Sequence, residues 1–389
     1  MTEKTAHLSV EIGQKNYTMK RYPYRANLDL SAWDAADQYL LSTVLPRLWP
    51  DAKVLVVNDN FGALTIPLVA YSPTCYSDSW QSREAMWQNL ALNNIDERPR
   101  VVESLSQLTK DDVLYDVVVG RIPKSKDQLR AMLVALRTSV TTEGQLLLTG
   151  MDKHLSKGQL EQVPLYFGEL EYIPGYKKAR IWSARVNKKL DSIAPASREI
   201  KVPAFDLVLR TGPNVFSRDT LDIGTRFFLD NFDRLPRKKS VADLACGSGV
   251  LGLAYLRLHP NASMLFCDES FEAVRFTEEN FSINFAASDG NSIDAKIRAD
   301  DGLLETESES LELILCNPPF HQQNTVSTDI SKGFFREAKR CLKPDGELWV
   351  VANRHLGYHL NLKKLFGGCE VVASNSKFVI LRVVKAGVS

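Results

Sequence analysis

What this sequence lacks narrows its function before any motif is read. Its six cysteines, at 75, 246, 267, 316, 341 and 369, form no Cys-x-x-Cys pair. Cysteine scattered in that way is neither a disulfide framework nor a zinc signature, so a reducing cytoplasm and no metal are expected. No stretch approaches the roughly eighteen consecutive apolar residues of a membrane helix. The opening residues MTEKTAHLSVEIGQ hold no apolar core of a signal peptide, so a soluble protein with no membrane partner is expected. An excess of either charge is missing too, since 48 Lys and Arg nearly cancel 47 Asp and Glu. A balanced total still leaves room for a local basic patch and a nucleic-acid partner.

What is present is ordinary in bulk, with 44% hydrophobic and 24% charged residues, but 389 residues are too many for one comfortable core. From the middle, SVADLACGSGVLGLAYL (240–256) runs from an apolar strand through a glycine turn into a helical pattern. ASMLFCDES then ends a strand at Asp268, LELILCNPPF and DGELWVVANRH follow as further strands, and helical stretches separate them. The tail CEVVASNSKFVILRVVKA reads as an antiparallel hairpin. Strands alternating with helices predict βαβ units on a parallel sheet, an α/β fold.

The first half repeats the outline. AKVLVVNDNFGALTIPLVA, PTCYSDSWQSREAMWQNLALN, YDVVVGRIPKS and TEGQLLLTG match the second half in order, at an offset of about 187 to 196 residues. Two domain-sized copies are expected, at 1–190 and 191–389. They differ where chemistry would sit: Asp59-Asn60-Phe61-Gly62 replaces Cys-Gly-Ser-Gly, and Arg121-Ile122-Pro123-Lys124 replaces Asn-Pro-Pro-Phe.

Gly247 and Gly249 lie between a strand and a helix, where glycine lets the backbone approach a ligand and the helix end adds its dipole. Neither the phosphate-loop lysine nor a third glycine at dinucleotide spacing is there. Asp243 in the turn would repel a pyrophosphate but could hold a cationic group. Asp268 is placed to take ribose hydroxyls or, alternatively, to cap the next helix. Asp300 could accept from an adenine amine or sit as an ordinary loop acid. A nucleoside with a cationic tail and no phosphates describes S-adenosyl-L-methionine as the cofactor.

The words DLACGSG, CDES, CNPPFHQ and NVFSRDTLDIGTRFF together resemble the bacterial ribosomal RNA guanine-N2 methyltransferases with two tandem methyltransferase-like domains. SAWDAADQYLL, YKKARI and VANRHLGYHLNLKKLFG are most similar to the large-subunit (23S) branch. The resemblance implies two Rossmann-like class I methyltransferase domains on mostly parallel seven-stranded sheets. Of these, the amino-terminal one is degenerate and recognises RNA, and the carboxyl-terminal one is catalytic. The family has glycine where this chain has Ala245, a departure that a single methyl group allows if the backbone angles there are ordinary.

In that light the Asn-Pro-Pro-Phe word has a job. Guanine N2 is a poor nucleophile because its lone pair is delocalised into the ring. Asn317 and the Pro318 carbonyl would accept its two hydrogens, with Asn317 also bordering the cofactor. Phe320 would stack on the extruded base. Two prolines hold that geometry in advance. No general base is assigned, and His321 is left as a flanking residue. Phe216 and Arg218 would lie over the cofactor or the base, although a plain helix start explains the same letters. The basic run KKARIWSARVNKK, with Lys177, Lys178, Arg180 and Arg185, would grip ribosomal RNA beside Trp182, with Arg121 and Lys124 extending the surface. The alternatives are small-subunit (16S) RNA, an adenine N6 or protein glutamine target, and a non-enzymatic RNA-binding assembly factor.

Overall fold

The computed structural model describes residues 8–24, 30–187, 189–190, 197–213, 220–285, 293–318 and 325–387, with side chains from 331 onward in the last stretch. The chain divides into two compact units, 1–196 and 197–389. The amino unit opens with a hairpin, β1 (Ser9–Ile12) and β2 (Lys15–Thr18). Its sheet holds β3 (Val54–Val57), β4 (Thr74–Tyr76), β5 (Arg100–Val102), β6 (Tyr115–Arg121), β7 (Val140–Met151), β8 (Leu170–Glu171) and β9 (Ala179–Arg185). Around it lie α1 (Ala35–Val44), α2 (Trp80–Leu92), α3 (Leu105–Lys110) and α4 (Lys126–Ser139), with single turns α5 (Lys157–Leu160) and α6 (Val163–Tyr166).

The carboxyl unit opens with its own hairpin, β10 (Arg198–Val202) and β11 (Leu207–Thr211), followed by α7 (Ile223–Leu229). Its sheet holds β12 (Ser240–Leu244), β13 (Ser263–Asp268), β14 (Ala295–Ala299), β15 (Leu311–Cys316), β16 (Leu342–Asn353), β17 (Glu370–Ser374) and β18 (Phe378–Val384). Interleaved are α8 (Val250–Leu258), α9 (Phe271–Phe285), α10 (Thr325–Cys341) and α11 (Tyr358–Phe366). The order β14-β13-β12-β15-β16-β18-β17 repeats the amino unit's β5-β4-β3-β6-β7-β9-β8. All pairings inside each sheet are parallel except those made by the last two strands in sequence. Both sheets are therefore tandem Rossmann-like folds of the expected class.

Helices on both faces explain why central strands read as unbroken apolar runs. Side chains alternate between two cores: Leu313, Leu315, Trp349 and Val351 pack with α7 and α8, while Ile314, Cys316, Val350 and Ala352 pack with α10 and α11. Asn317 and Asn353 continue the first series, so both belong to the face that α7 covers. Because these strands are parallel, the loops after them all emerge at one edge, where ligands of open α/β sheets bind.

One duplicated device ties each hairpin to its unit. In α9, Asn280 Oδ1 accepts from Arg210 N at 2.6 Å, and its Nδ2 donates to Arg210 O and Ser248 O, both at 3.0 Å. In α2, Asn89 makes the same three bonds with Lys20 and Phe61. One turn on, Asn284 clamps Val208 as Asn93 clamps Thr18. These asparagines satisfy backbone groups that would otherwise be buried unpaired.

Candidate active site at the carboxyl edge of the second sheet

The turn between β12 and α8 is set by three left-handed residues: Ala245 at φ 58, Gly247 at φ 58 and Gly249 at φ 81. The condition of ordinary angles at Ala245 is thus not met, and its methyl group carries the cost of a region that favours glycine. The amino unit has Asn58 at φ 56 in the same place and Gly62 at φ 81 opposite Gly249. A side chain at 249 would strike Thr277 at 2.8 Å, whereas one at 247 would meet nothing within 4 Å. Gly247 therefore faces open space, as a backbone that cradles a ligand should.

Asp268, at the end of β13, borders that space. Its Oδ2 accepts from Gly247 N at 2.9 Å and its Oδ1 from Ser270 N at 3.0 Å. It thus fixes the residue that caps the next helix, Ser270, whose hydroxyl accepts from Ala273 N, and steadies the glycine turn at once. Burial raises its pKa against those bonds. Asp300 follows β14 and is completely buried; its Oδ2 takes Arg298 and Glu305 N, and its Oδ1 has no partner. Burial likewise raises its pKa.

Asp243 needs a correction. It is 1% exposed, its Oδ2 accepts from Gly252 N at 2.8 Å, and burial, with Asp268 nearby, pushes its pKa up to about 8. A carboxyl so buried, its charged form disfavoured, braces the first turn of α8 and is closed off from the open space at Gly247.

Asn317 follows β15 directly. Its Nδ2 donates to Thr225 Oγ1 at 2.8 Å and to Asp222 Oδ2 at 3.4 Å, and Asp222 also caps α7. The amide is thereby fixed with its Oδ1 turned away from α7, and that oxygen is buried with no partner. Pro318 beside it is buried. Phe320 and His321, like Phe216 and Arg218, lie outside the described residues. Thr225 and Asp222 were not singled out as site residues; the signal was their position on the helix before the glycine turn, within DTLDIGTRFF.

The amino unit shows the same edge closed. Equating Val57 with Leu244 through the strand registers sets Arg121 where Asn317 stands. Its guanidinium donates to Asp34 at 2.8 and 3.0 Å and to Asp37 at 2.5 Å, residues occupying the places of Asp222 and Thr225 on α1. Arg121 was expected to extend an RNA surface; buried between two carboxylates, it is an internal ion pair instead.

The remaining basic residues divide. Lys124, Lys177, Lys178 and Arg180 are exposed near the carboxyl edge of the amino sheet, Arg180 in an ion pair with Asp152. Lys177 and Lys178 form a hairpin tip in left-handed conformation, closed by the Tyr176–Ala179 bridge, with Lys177 Nζ 5.2 Å from the Tyr176 ring. His154 senses the field: burial, then Lys153, Lys124 and Arg121, hold its pKa below the usual value. Arg185 sits at the far end of β9 and pairs with Glu171, apart from this group. Trp182 is buried in the core and offers no face for a base, while Tyr172 and Tyr176 are exposed.

Among the described residues no group of three or more His, Cys, Asp or Glu could hold a metal, and no helix is long and apolar enough to cross a membrane.

Comparison with known proteins agrees with this division. Residues 206–382 match the methyltransferase small domain family, and residues 7–188 match the RLMG N-terminal domain. A ribosomal RNA large subunit methyltransferase G from Yersinia pestis is 38% identical over 377 residues, covering 97% of this chain and 94% of its own. That of Yersinia enterocolitica is 39% identical over 382 residues, 98% and 95% of the two chains. The structure of a T. thermophilus 16S rRNA N2 methyltransferase in complex with AdoMet and guanosine superposes with a TM-score of 0.75. It covers 99% of this chain and all of that one at 19% identity, a likeness of fold. Identity sustained over nearly the whole length means that this chain belongs to the ribosomal RNA large subunit methyltransferase G family.

Proposed function

We propose that this protein transfers a methyl group from S-adenosyl-L-methionine to the exocyclic N2 of one guanine in large-subunit (23S) ribosomal RNA. The products are N2-methylguanosine and S-adenosylhomocysteine. The observation that carries the reading is the Asn317 amide, pinned through its nitrogen with a buried, unpartnered oxygen at the ligand-binding edge. A buried acceptor without a partner costs about 1–3 kcal/mol, so a donor is expected to come from substrate.

The cofactor fit rests on this chain's own groups. Asp268 keeps lone pairs free for ribose hydroxyls beside the open space at Gly247, and the free Oδ1 of Asp300 suits an adenine amine. When bound, the cofactor supplies an electrophilic sulfonium methyl. The chain's part is to orient the amine. Asn317 Oδ1 and the Pro318 carbonyl accept its hydrogens and draw its lone pair out of conjugation. Phe320 stacks on the extruded base. The methylated nitrogen is acidic enough to lose a proton to water, so no strong base is needed. The 1–190 domain serves as the RNA-binding copy. Its Lys124, Lys177, Lys178 and Arg180 meet phosphates with Tyr176 beside them, and 191–389 is the catalytic domain. Six unpaired cysteines, five of them buried, suit a cytoplasmic setting.

The test is transfer of labelled methyl to unmodified 23S and 16S RNA separately, followed by nucleoside analysis. N2-methylguanosine in 23S RNA is the expected result. Label in 16S RNA alone, or as N6-methyladenosine, would overturn the proposed target.

A further inference from the structure

The duplicated chain supplies its own comparison. Positions that hold scaffold are kept in both units, as Asn89 with Asn280, Asn93 with Asn284 and Gly62 with Gly249 show. Positions that hold chemistry have changed together. By strand register Asp268 corresponds to Ser77, Asp300 to Ser104 and Asn317 to Arg121. Asn353, the last residue of β16, corresponds to Met151, the last residue of β7, so it groups with the chemistry.

A second observation agrees. Among the described residues, the carboxyl unit has three buried side-chain oxygens without a partner: Asp300 Oδ1, Asn317 Oδ1 and Asn353 Oδ1. All three lie at the carboxyl edge of the sheet. Cys316 pairs with Val350, so Asn353 is one strand across from Asn317 and two residues further along, on the same face. Their Cβ atoms are thus about 8 Å apart, within reach of one flat base for two amides. The first turn of α7 adjoins this edge: Asp222 and Thr225 hold Asn317, and Gly224 lies against Phe378, the cross-strand partner of Asn353.

Two neighbouring acceptors suit an edge that offers two neighbouring donors. Guanine presents N2–H and N1–H side by side, whereas adenine presents N6–H beside the bare lone pair of N1. Resting on the guanine-N2 reading above, we propose that Asn353 Oδ1 accepts the N1–H of the target guanine, making Asn353 a specificity-determining residue that rejects adenine. A site built to pair a donor rejects the analogue that lacks it, because the oxygen stays buried and unpaired.

The test uses an RNA fragment carrying the unmethylated target guanosine, and a second with 2-aminopurine there, which keeps the amine and lacks N1–H. Wild type should methylate the guanine fragment with kcat/KM at least tenfold above the other. Asn353→Ala should lose roughly tenfold to a hundredfold on guanine and little on 2-aminopurine, so that discrimination collapses. Asn353→Asp keeps an acceptor and should keep the discrimination. Unchanged cofactor affinity in both variants certifies their fold. Full activity of Asn353→Ala on guanine, or an equal loss on both fragments, would overturn the inference while leaving the guanine-N2 reading intact. Absence of wild-type transfer to any guanine would instead sink that reading, and this inference with it.

Discussion

The methyl group of Ala245 stands in left-handed backbone at the start of the glycine turn, where an L side chain costs about 1–2 kcal/mol. Replacing it with glycine relieves that cost and adds unfolded-chain entropy worth about 0.4–1 kcal/mol in the opposite direction. Ala245→Gly should therefore stabilise the carboxyl unit by about 0.5–1 kcal/mol, read as a higher urea midpoint at unchanged slope. A lower midpoint would mean that the turn is not strained. The left-handed angle could not be read from the letter Ala, because alanine is ordinary in helix and strand alike. The amino copy held the clue: Asn58, at the same place, is a residue type that tolerates that region. Gly247, Gly249, Asp268 and Asn317 were legible because their types are unusual beside strand ends. Thr225 and Asn353 were not, since nothing local separates a threonine that pins a site amide, or an asparagine at a strand end, from a capping one.

At the scale of elements, the end of β6 against α1 carries a partly buried ion triad where β15 and α7 carry a pinned amide. Asp37 is 2% exposed, and burial pushes its pKa up to about 6 even beside Arg121; Arg121 and two backbone bonds hold Asp34 below the usual range. Arg121→Leu leaves the buried Asp37 carboxylate without its cation, while solvent and two backbone bonds still serve Asp34, and should cost about 3 kcal/mol. The pH dependence has a definite sign. A carboxyl raised on folding contributes stability that is fully present below its unfolded value near 4 and lost as pH rises through about 6. The Arg121→Leu deficit should therefore be larger at pH 8 than at pH 5, where Asp37 takes up a proton. Thermal melts of the variant at the two pH values would show it, and a deficit independent of pH would refute it. Periodicity and strand–helix alternation predicted the sheets and the closing hairpin, because buried parallel strands announce themselves as apolar runs. The ion triad was invisible, since Asp34 and Asp37 lie more than eighty residues from Arg121 and read as helix-start acids.

Over the whole molecule, two copies of one fold have diverged at one edge. Both keep the sheet order and the asparagine clamps on the opening hairpin, but where the carboxyl copy ends its strands in the unpartnered acceptors of Asp300, Asn317 and Asn353, the amino copy has Ser104, an ion-paired Arg121 and Met151. That contrast is why the chain as a whole reads as a methyltransferase domain joined to a copy that has lost the reaction. The most direct measurement compares methyl transfer to unmodified 23S RNA by wild type and Asn317→Ala, with cofactor affinity measured in parallel by calorimetry. The account predicts that kcat falls roughly a hundredfold to a thousandfold while cofactor affinity changes little, because the amide acts on the amine in the transition state. Transfer at the wild-type rate by Asn317→Ala would contradict it, since the unpartnered oxygen would then have no part in the reaction.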